Sequence, residues 1–384
     1  MSTLPDGRFI DDAPYDPNVD LSAIDRTDMD ASNFVLVWRK FKRHRLGLIS
    51  GLFLLLAYLA IPFAGFIAPY TPHERSADHL FHPPQAIRMY HEGEFIGPFV
   101  YATSGYADLE NFQWIYETDT TRPMPLEFFC RKSEYKLMGF IPTEVHLFCA
   151  PEDATVFIFG SDRLGRDVFS RISYGAQLSL TVGLIGITVS FILGIGFGAL
   201  AGYFGGWIDW VVNRAIEILR SLPELPLWLA LSAAVPSNWG PVAVFFIISI
   251  ILGLLDWPGL ARAVRSKFLS LREEEFVRAA EMMGAKPGRV IRRHLLPNFS
   301  SHLIASATLS IPAMILGETA LSFLGLGLRA PAVSWGVMLN DAQNLASIEI
   351  YPWTAIPMLP IVVVVLAFNF LGDGLRDSLD PYSD

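Results

Sequence analysis

Residues 176–202 read AQLSLTVGLIGITVSFILGIGFGALAG, and this stretch contains no Asp, Glu, Lys or Arg. A run of about 20 apolar residues is long enough for a helix to cross the hydrocarbon core of a bilayer. The stretch therefore predicts a transmembrane helix and decides the fold class of the chain.

Other apolar runs repeat this pattern before and after it. They cover about 46–68, 208–235, 240–257, 301–324 and 353–371. The run at 208–235 is the least pure, because Arg214, Glu217 and Arg220 lie three residues apart near its start, where we expect ion pairs along one helix face. The chain is 52% hydrophobic and 17% charged, with a mean hydropathy of +0.38. We predict an all-α polytopic membrane protein with six transmembrane helices.

Charge is sorted along the chain as a membrane topology requires. A basic cluster at 39–45 precedes the first run, so 39–70 is predicted to be a basic anchor with the first transmembrane helix. Residues 258–300 hold nine Lys or Arg against four Glu, whereas residues 71–158 hold thirteen acids against six bases. These counts predict cytoplasmic N- and C-termini, a cytoplasmic loop at 258–300 and an outer segment at 71–158.

The two segments outside the apolar runs differ in composition. Residues 1–30 contain eight Asp and two Arg, so the tail 1–38 is predicted to be an acidic, disordered cytoplasmic segment. Residues 71–158 are rich in aromatics and contain short apolar runs, such as EFIGPFVYA at 94–102, bounded by Pro and Gly. This pattern predicts a small β-rich extracytoplasmic insert, followed by the membrane core 159–384.

The only two cysteines of the chain, Cys130 and Cys149, both fall in this insert. The sequence GFIP at 139–142 lies between them and favours a hairpin that would bring them together as a disulfide in an oxidising compartment. The alternative is two buried free thiols that pack as small hydrophobic groups. The histidines of the insert have no ligand-like spacing to these cysteines, so we predict no metal site and no cofactor.

The basic loop contains EEEFVRAAEMMGAKPGRVIRRHLLPNF at 273–299. Phe276, Ala280 and Met283 follow helical spacing and predict one apolar stripe. Gly284 and Pro287 predict the end of one short helix and the start of a second, which Pro297 would end. Such a pair of helices suits docking into a groove of a partner protein. The alternative is a basic loop that lies on the membrane surface.

This loop resembles the EAA motif of binding-protein-dependent importer permeases, which reads Glu-Ala-Ala, three residues, Gly, nine residues, Ile, one residue, Leu-Pro. Arg278 stands where the family has Glu, and His294 stands where it has Ile. The resemblance implies that the loop couples the permease to an ATPase. The implied coupling residues are Arg278, Ala279, Ala280, Glu281, Gly284, Leu296 and Pro297.

A second resemblance covers 159–183, FGSDRLGRDVFSRISYGAQLSLTVG, which is similar to the dipeptide/oligopeptide permease subfamily. ETALSFLGLGL at 318–328 and LRDSLDP at 375–381 match the same subfamily. Gln177 replaces an Arg that is usual there. The insert 71–158 is longer than in plain peptide permeases, and is more like versions that occur beside binding proteins for larger solutes, including some oligosaccharides.

The resemblance implies a permease subunit that forms half of the pathway for oligopeptides or similar-sized solutes. It implies a second permease subunit, two ATP-binding subunits and an outer solute-binding protein as partners. The chain has no G-x-x-x-x-G-K-[ST] sequence, so we expect ATP hydrolysis on a partner and no enzyme activity here. No basic patch interleaved with aromatics suggests nucleic acid. The alternative function is a secondary transporter or channel that works without an ATPase. Secondary transporters usually contain paired half-repeats with broken helices, and this sequence shows no such repeats.

Glu318 is the one carboxylate within the fifth apolar run. A carboxylate inside a membrane is costly, and such residues often serve function. Glu318 is therefore predicted either to line the solute path or to hydrogen-bond a neighbouring helix.

Overall fold

The structure is a computed structural model that describes residues 2–3, 9–10, 33–108, 110, 113–151, 154–236 and 238–379. It is mostly helical, with a β-sheet region between the first long helix and the others. The helices are α1 Asn33–Arg43, α2 Arg45–Ala60, α3 Ala64–Ile67, α4 Val168–Phe204, α5 Gly206–Ser221, α6 Glu224–Ala233, α7 Pro241–Leu271, α8 Glu275–Met282, α9 Pro287–Val290, α10 Leu296–Phe323, α11 Trp335–Asp341, α12 Leu345–Ile350 and α13 Met358–Leu379. The strands are β1 Ser2–Thr3, β2 Phe9–Ile10, β3 Arg88–His91, β4 Glu94–Asp108, β5 Gln113–Pro125, β6 Glu127–Leu137 and β7 Ile141–Cys149.

Within the described residues, five helical segments are long and apolar enough to cross a membrane. They are Arg45–Ile67, Val168–Phe204, Pro241–Leu271, Pro287–Phe323 and Pro352–Leu379. Each overlaps one predicted apolar run, and several extend beyond it, because polar helical turns continue past the apolar part. The fourth predicted run, 240–257, continues as helix to Leu271, so the first part of the predicted loop 258–300 is helical.

The third predicted run, 208–235, is not one helix, so six transmembrane helices are not confirmed. It consists of α5 and α6, which are separated at Leu222 and Pro223. Proline lacks a backbone N–H and disfavours helical geometry in the residue before it, and Leu222 is accordingly extended (φ −96°, ψ 140°). The apolar helix α6 has only ten residues.

The acidic tail lies mostly outside the described residues, but its last part differs from the prediction. Residues 33–38, which the sequence places in a disordered tail, belong to helix α1. Trp38 and Phe41 are three residues apart on this helix, and their rings stack with centroids 5.9 Å apart. An apolar stripe beside a basic one explains why this stretch is helical.

The membrane core is built on the pair α4 and α7. A Cβ atom on Gly253 of α7 would lie 2.4 Å from the carbonyl oxygen of Gly186 on α4, so only glycine lets these backbones meet. A second cluster joins α2, α4, α10 and α13 through side chains including Leu54, Leu180, Ile315 and Phe368. These helices form one packed body that positions the short helices between α7 and α10.

The β-sheet region spans 88–149 and contains two antiparallel units. Strands β3, β4 and β5 form one sheet, and β6 and β7 form a separate hairpin. Val100, Leu126 and Phe148 pack with Tyr70 and Phe157 into a shared core, which fixes this region against the segments that precede and follow it.

Cys130 on β6 and Cys149 on β7 are joined as a disulfide, with Cα atoms 6.1 Å apart. The hairpin predicted between them is present, and its register pairs Cys130 with His146 and Glu127 with Cys149. The bridge closes a loop with a sequence separation of 19 residues. In the chain-entropy model, closing a loop of this size with a disulfide stabilises a small domain by roughly 3 kcal/mol.

We predict that this disulfide exists in the cell. In denaturant without a reductant, neither cysteine should react with an alkylating reagent, and both should react after reduction. Full labelling of Cys130 and Cys149 without reductant would show that they are free thiols.

Candidate functional site

Helix α8 is held to the membrane core by one face and leaves the other uncovered. Val277 is buried in a cluster that contains Val264 and Phe268 of α7 and Val290 of α9, and Ala280, three residues further on, is also buried. On the other face Phe276 is 41%, Met282 89% and Met283 82% exposed. The stripe predicted through Phe276, Ala280 and Met283 is therefore wrong, because Ala280 faces inwards while the other two face outwards.

Gly284 ends α8 in a left-handed conformation, with φ +83°. Its N–H donates to the carbonyl of Glu281 at 2.8 Å, and the N–H of Ala285 donates to that of Ala280 at 3.0 Å. These two bonds form a Schellman cap, in which glycine avoids the steric cost of the left-handed region. A Cβ atom at Gly284 would have no other atom of the described residues within 4 Å beyond its own neighbours in the chain, so the turn faces open space.

The polar residues of α8 connect it to its own surroundings. Arg278 donates to Glu273 at 2.6 Å, and Glu281 accepts a hydrogen bond from the hydroxyl of Tyr203 at 2.7 Å. The pair between Arg278 and Glu273 is exposed, and the neighbouring guanidinium lowers the pKa of the Glu273 carboxyl. Ala279 is exposed on the same helix.

Pro287 begins α9 as predicted, but Pro297 does not end a helix. The chain passes from α9 through a π-helical turn, Ile291–Leu295, directly into α10, where Pro297 occupies the first turn. A proline inside a continuous helix removes one backbone hydrogen bond, and the π turn directly before Pro297 is the kind of local irregularity at which helices accommodate this loss. Leu296 packs against the α8 cluster, whereas Pro297 is exposed.

A cavity of about 540 Å³ opens beside the break between α5 and α6. Its other walls are formed by α7 and α10, through residues such as Gly259, Ser306 and Ser310. Three charged side chains line it: Arg220, Glu224 and Asp256. Of the three predicted ion-pair residues, Arg214 and Glu217 pair at 2.8 Å, and among the described residues no salt bridge within 4.0 Å involves Arg220, which lines the cavity.

Asp256 is a residue that our reading of the sequence missed. It lies inside α7, a membrane-spanning candidate, and its Oδ2 accepts a hydrogen bond from Ser190 of α4 at 2.8 Å. A carboxylate inside an apolar helix is by default a functional candidate. The signal is present in ISIILGLLDWPGL at 248–260, but the predicted run ends at residue 257, which places Asp256 at its edge.

Glu318 is fully buried and does not line this cavity. Its Oε1 accepts hydrogen bonds from Ser322 and from Ser334, each at 2.8 Å. Ser334 immediately precedes α11, so this carboxylate joins α10 to the segment that follows it. Its Oε2 is buried and has no hydrogen-bond partner among the described residues.

The residues of the 159–183 sequence form a buried charge cluster at the start of α4. Oδ2 of Asp162 accepts from Arg166 at 2.7 Å and from Arg171 at 2.6 Å, and both arginines also pair with Asp341 of α11. Asp167 caps α4 through the N–H of Ser170 at 2.7 Å, and burial raises the pKa of this carboxyl to about 7. These ion pairs therefore link three segments: the loop before α4, the first turn of α4 and helix α11.

Comparison with known proteins gives two family matches. Residues 194–382 match the family described as "Binding-protein-dependent transport system inner membrane component", and residues 32–84 match "N-terminal TM domain of oligopeptide transport permease C". The whole β-sheet region, 88–149, lies between these two matches.

Related proteins of known name are also peptide transport permeases. A dipeptide transport system permease protein DppC from Alkalihalophilus pseudofirmus is 46% identical over 224 residues, which cover 58% of this chain and 71% of the relative. An oligopeptide transport system permease protein OppC from Haemophilus influenzae is 40% identical over 264 residues, covering 68% and 79%. A chain of an inward-facing MetNI methionine ABC transporter is 18% identical, covering 55% of this chain and 96% of its own, with a TM-score of 0.42, a likeness that carries no conclusion.

Proposed function

This chain belongs to the binding-protein-dependent transport system inner membrane components, as a permease of the dipeptide/oligopeptide type, and from this premise we propose that it forms half of the pathway of an ATP-driven peptide importer. It is a multi-pass inner-membrane protein. The observation that carries the proposal is the arrangement of α8, which is anchored by Val277 and Ala280 and presents Phe276, Met282 and Met283 outwards.

Helix α8 has the features of a docking element. Two exposed methionines beside a phenylalanine give an adaptable apolar surface, and the charged pair of Arg278 and Glu273 borders it. An amphipathic helix of this kind binds by laying its apolar face into a groove of a partner. The proposed partner is an ATP-binding subunit. Because α8 shares a hydrophobic core with α7 and α10, a displacement of α8 by that subunit would be transmitted to both helices.

The proposed complex has two permease subunits, two ATP-binding subunits and an outer solute-binding protein. The test is to purify the tagged chain with its associated subunits, reconstitute them in vesicles, and measure peptide uptake with and without ATP. We expect uptake only with ATP and with the peptide-loaded binding protein. Uptake that continues without ATP would favour the secondary transporter or channel.

Orientation is part of the same proposal. With α5 and α6 acting together as one interrupted crossing, the chain crosses six times and both termini lie in the cytoplasm. The basic segments near α1 and α8 then lie inside, and the acidic β-sheet region lies outside.

A cysteine at the exposed position Glu110 is expected to react with a membrane-impermeant thiol reagent added from outside the cell. The reagent reaches only the outer face of an intact membrane, so labelling reports the side directly. Labelling of this position only after the cytoplasm is opened would reverse the topology.

The cavity beside the α5–α6 break is the proposed wall of the solute path. It joins two membrane-spanning candidates to an interrupted segment, and its charged residues Arg220, Glu224 and Asp256 carry more negative than positive charge. A peptide carries a protonated amine, which carboxylates bind through charge-assisted hydrogen bonds. Oligosaccharides have no such group, which is why we favour peptides as the solute.

Replacing Asp256 by asparagine is expected to lower the uptake of lysine-containing peptides relative to glutamate-containing peptides by about ten-fold. Two unit charges about 6 Å apart interact by about 3 kcal/mol at an effective dielectric constant of ~20, and rearrangement of nearby groups reduces the net effect. The measurement is the ratio of uptake rates for two labelled tripeptides in reconstituted vesicles.

The matched control is Glu217→Gln, which removes a carboxylate one turn of α5 before Arg220 but outside the cavity. Because both variants are tested with the same binding protein, the selectivity of that protein cancels from the comparison. An unchanged ratio in Asp256→Asn would remove this residue from the solute path, without affecting the assignment of α8.

A further inference from the structure

The turn of the β6–β7 hairpin is an exposed apolar tip. Residues 137–143 read LMGFIPT and contain no charged side chain. Met138, Phe140 and Ile141 are exposed there, and Phe140 is 71% exposed. In the neighbouring β3–β4 hairpin, the turn at 92–94 reads Glu-Gly-Glu. The two turns therefore differ in charge, although the β3–β4 hairpin also exposes Tyr90 and Phe95 beside its acidic turn.

The apolar tip lies directly against the first membrane-spanning segment. The backbone N–H of Met138 donates to the carbonyl of Pro62 at 3.2 Å, and Pro62 belongs to the apolar segment Arg45–Ile67. Near the start of β6, the ring of Phe129 lies 6.2 Å from that of Phe66, measured between centroids. The hairpin is thus placed relative to the membrane by the helix it contacts.

The position of Pro62 along this segment sets the depth of the tip. Pro62 is 17 residues beyond Arg45, which is about 25 Å along a helix. The hydrocarbon core is about 30 Å thick, so Pro62 lies within its outer part when Arg45 lies at the inner boundary. The tip therefore reaches a depth where water is scarce and apolar side chains are favoured.

We propose that the β6–β7 tip inserts into the outer leaflet of the bilayer and contacts lipid acyl chains. The occupant is lipid because the tip continues an apolar surface that is already exposed along the first span, at Leu52, Leu59 and Phe63. Phe129, which is 67% exposed, and Phe140 supply the large aromatic groups typical of membrane anchors. The hairpin thereby fixes the β-sheet region to the membrane surface at a second point besides the chain connections.

Photo-crosslinking of the full chain in lipid vesicles tests this proposal. Phe140 is replaced by p-benzoylphenylalanine, which preserves an aromatic side chain and reacts on illumination with nearby C–H bonds. The control carries the same replacement at the exposed position Glu94, beside the acidic turn of the other hairpin. Adducts are identified by mass spectrometry of the hairpin peptides, and the disulfide between Cys130 and Cys149 is checked in both samples as evidence of folding.

The expected result is a lipid acyl adduct at position 140 in at least ten-fold excess over position 94. The proposal is overturned by an adduct at position 140 to another protein chain in place of lipid, because it would indicate a second copy of the chain on this surface. It is also overturned by no lipid adduct at position 140, or by equal lipid yields at the two positions. None of these outcomes depends on transport, so the test is independent of the proposed function.

Discussion

ATP-driven uptake is expected to fall at least ten-fold when Gly284 is replaced by tryptophan, while the amount of the chain in the membrane stays normal. Gly284 caps α8 beside the exposed Met282 and Met283, and a Cβ at this position points into open space. An indole there would hold the helix away from the groove into which we propose it docks. Loss of a central contact in a protein interface commonly costs 2 kcal/mol or more, about a thirty-fold change.

The control for this experiment is Gly284→Ala. Alanine and tryptophan share the penalty of the left-handed conformation, which is roughly 1–2 kcal/mol, but alanine adds almost no bulk. If docking is blocked by size, uptake should fall much further in the tryptophan variant than in the alanine variant.

Two measurements separate uncoupling from misfolding. Membrane fractions should contain equal amounts of the chain in both variants, and stimulation of ATP hydrolysis by the peptide-loaded binding protein should be lost only with tryptophan. Equal uptake by the wild-type and tryptophan variants would contradict the assignment of α8 as the coupling element.

Several features of this fold could be predicted from local sequence alone. Five of the six predicted apolar runs coincide with long helices, because a membrane requires apolar residues over a fixed length whatever the neighbours are. Gly284 and Pro287 mark a helix end and a helix start for reasons that lie within a few residues of each. The hairpin around residues 138–140 was predicted from its turn residues in the same way.

Features that depend on tertiary packing were predicted less well. The spacing of Phe276, Ala280 and Met283 is helical, but the packing of Val277 against α7 decides which face is buried, and Ala280 lies on that face. Pro297 resembles a helix end, yet the π turn before it lets the chain continue. Leu222 and Pro223 break a run that is apolar enough to be a single span, and this break opens the cavity that holds Asp256.

The 159–183 sequence resembles the family, but the sequence alone does not predict the role of its charged residues. Their ion pairs include a carboxylate that lies far along the chain. Asp341 is 175 residues from Arg166 in sequence and 2.8 Å from it in space. From its local sequence alone, the first part of this segment would be predicted to be a polar loop. Only the fold reveals it as a buried cluster of two carboxylates and two guanidinium groups.

Replacing Asp162 by alanine is expected to destabilise the chain by about 3–5 kcal/mol, because it leaves Arg166 and Arg171 buried with only Asp341 to balance them. Asp162 also accepts hydrogen bonds from the backbone N–H groups of Leu164 and Arg166 at 2.8 and 3.1 Å, and these would be lost together. The measurement is the midpoint of thermal unfolding in detergent, together with the amount of the chain in membranes.

The matched control is Arg163→Ala, which removes the exposed partner of the same cluster. Arg163 pairs with Asp341 at 3.2 Å, but its side chain is 58% exposed, so its loss should cost less than about 1 kcal/mol. Asp162→Asn adds a further comparison, because it keeps an oxygen for the two backbone N–H groups and removes only the charge. If charge balance dominates, the asparagine variant should be nearly as unstable as alanine, and both should be far less stable than Arg163→Ala. A loss in Asp162→Ala no larger than that in Arg163→Ala would mean that water or rearranged side chains balance the two arginines, and the cluster would then not hold α4 and α11 together.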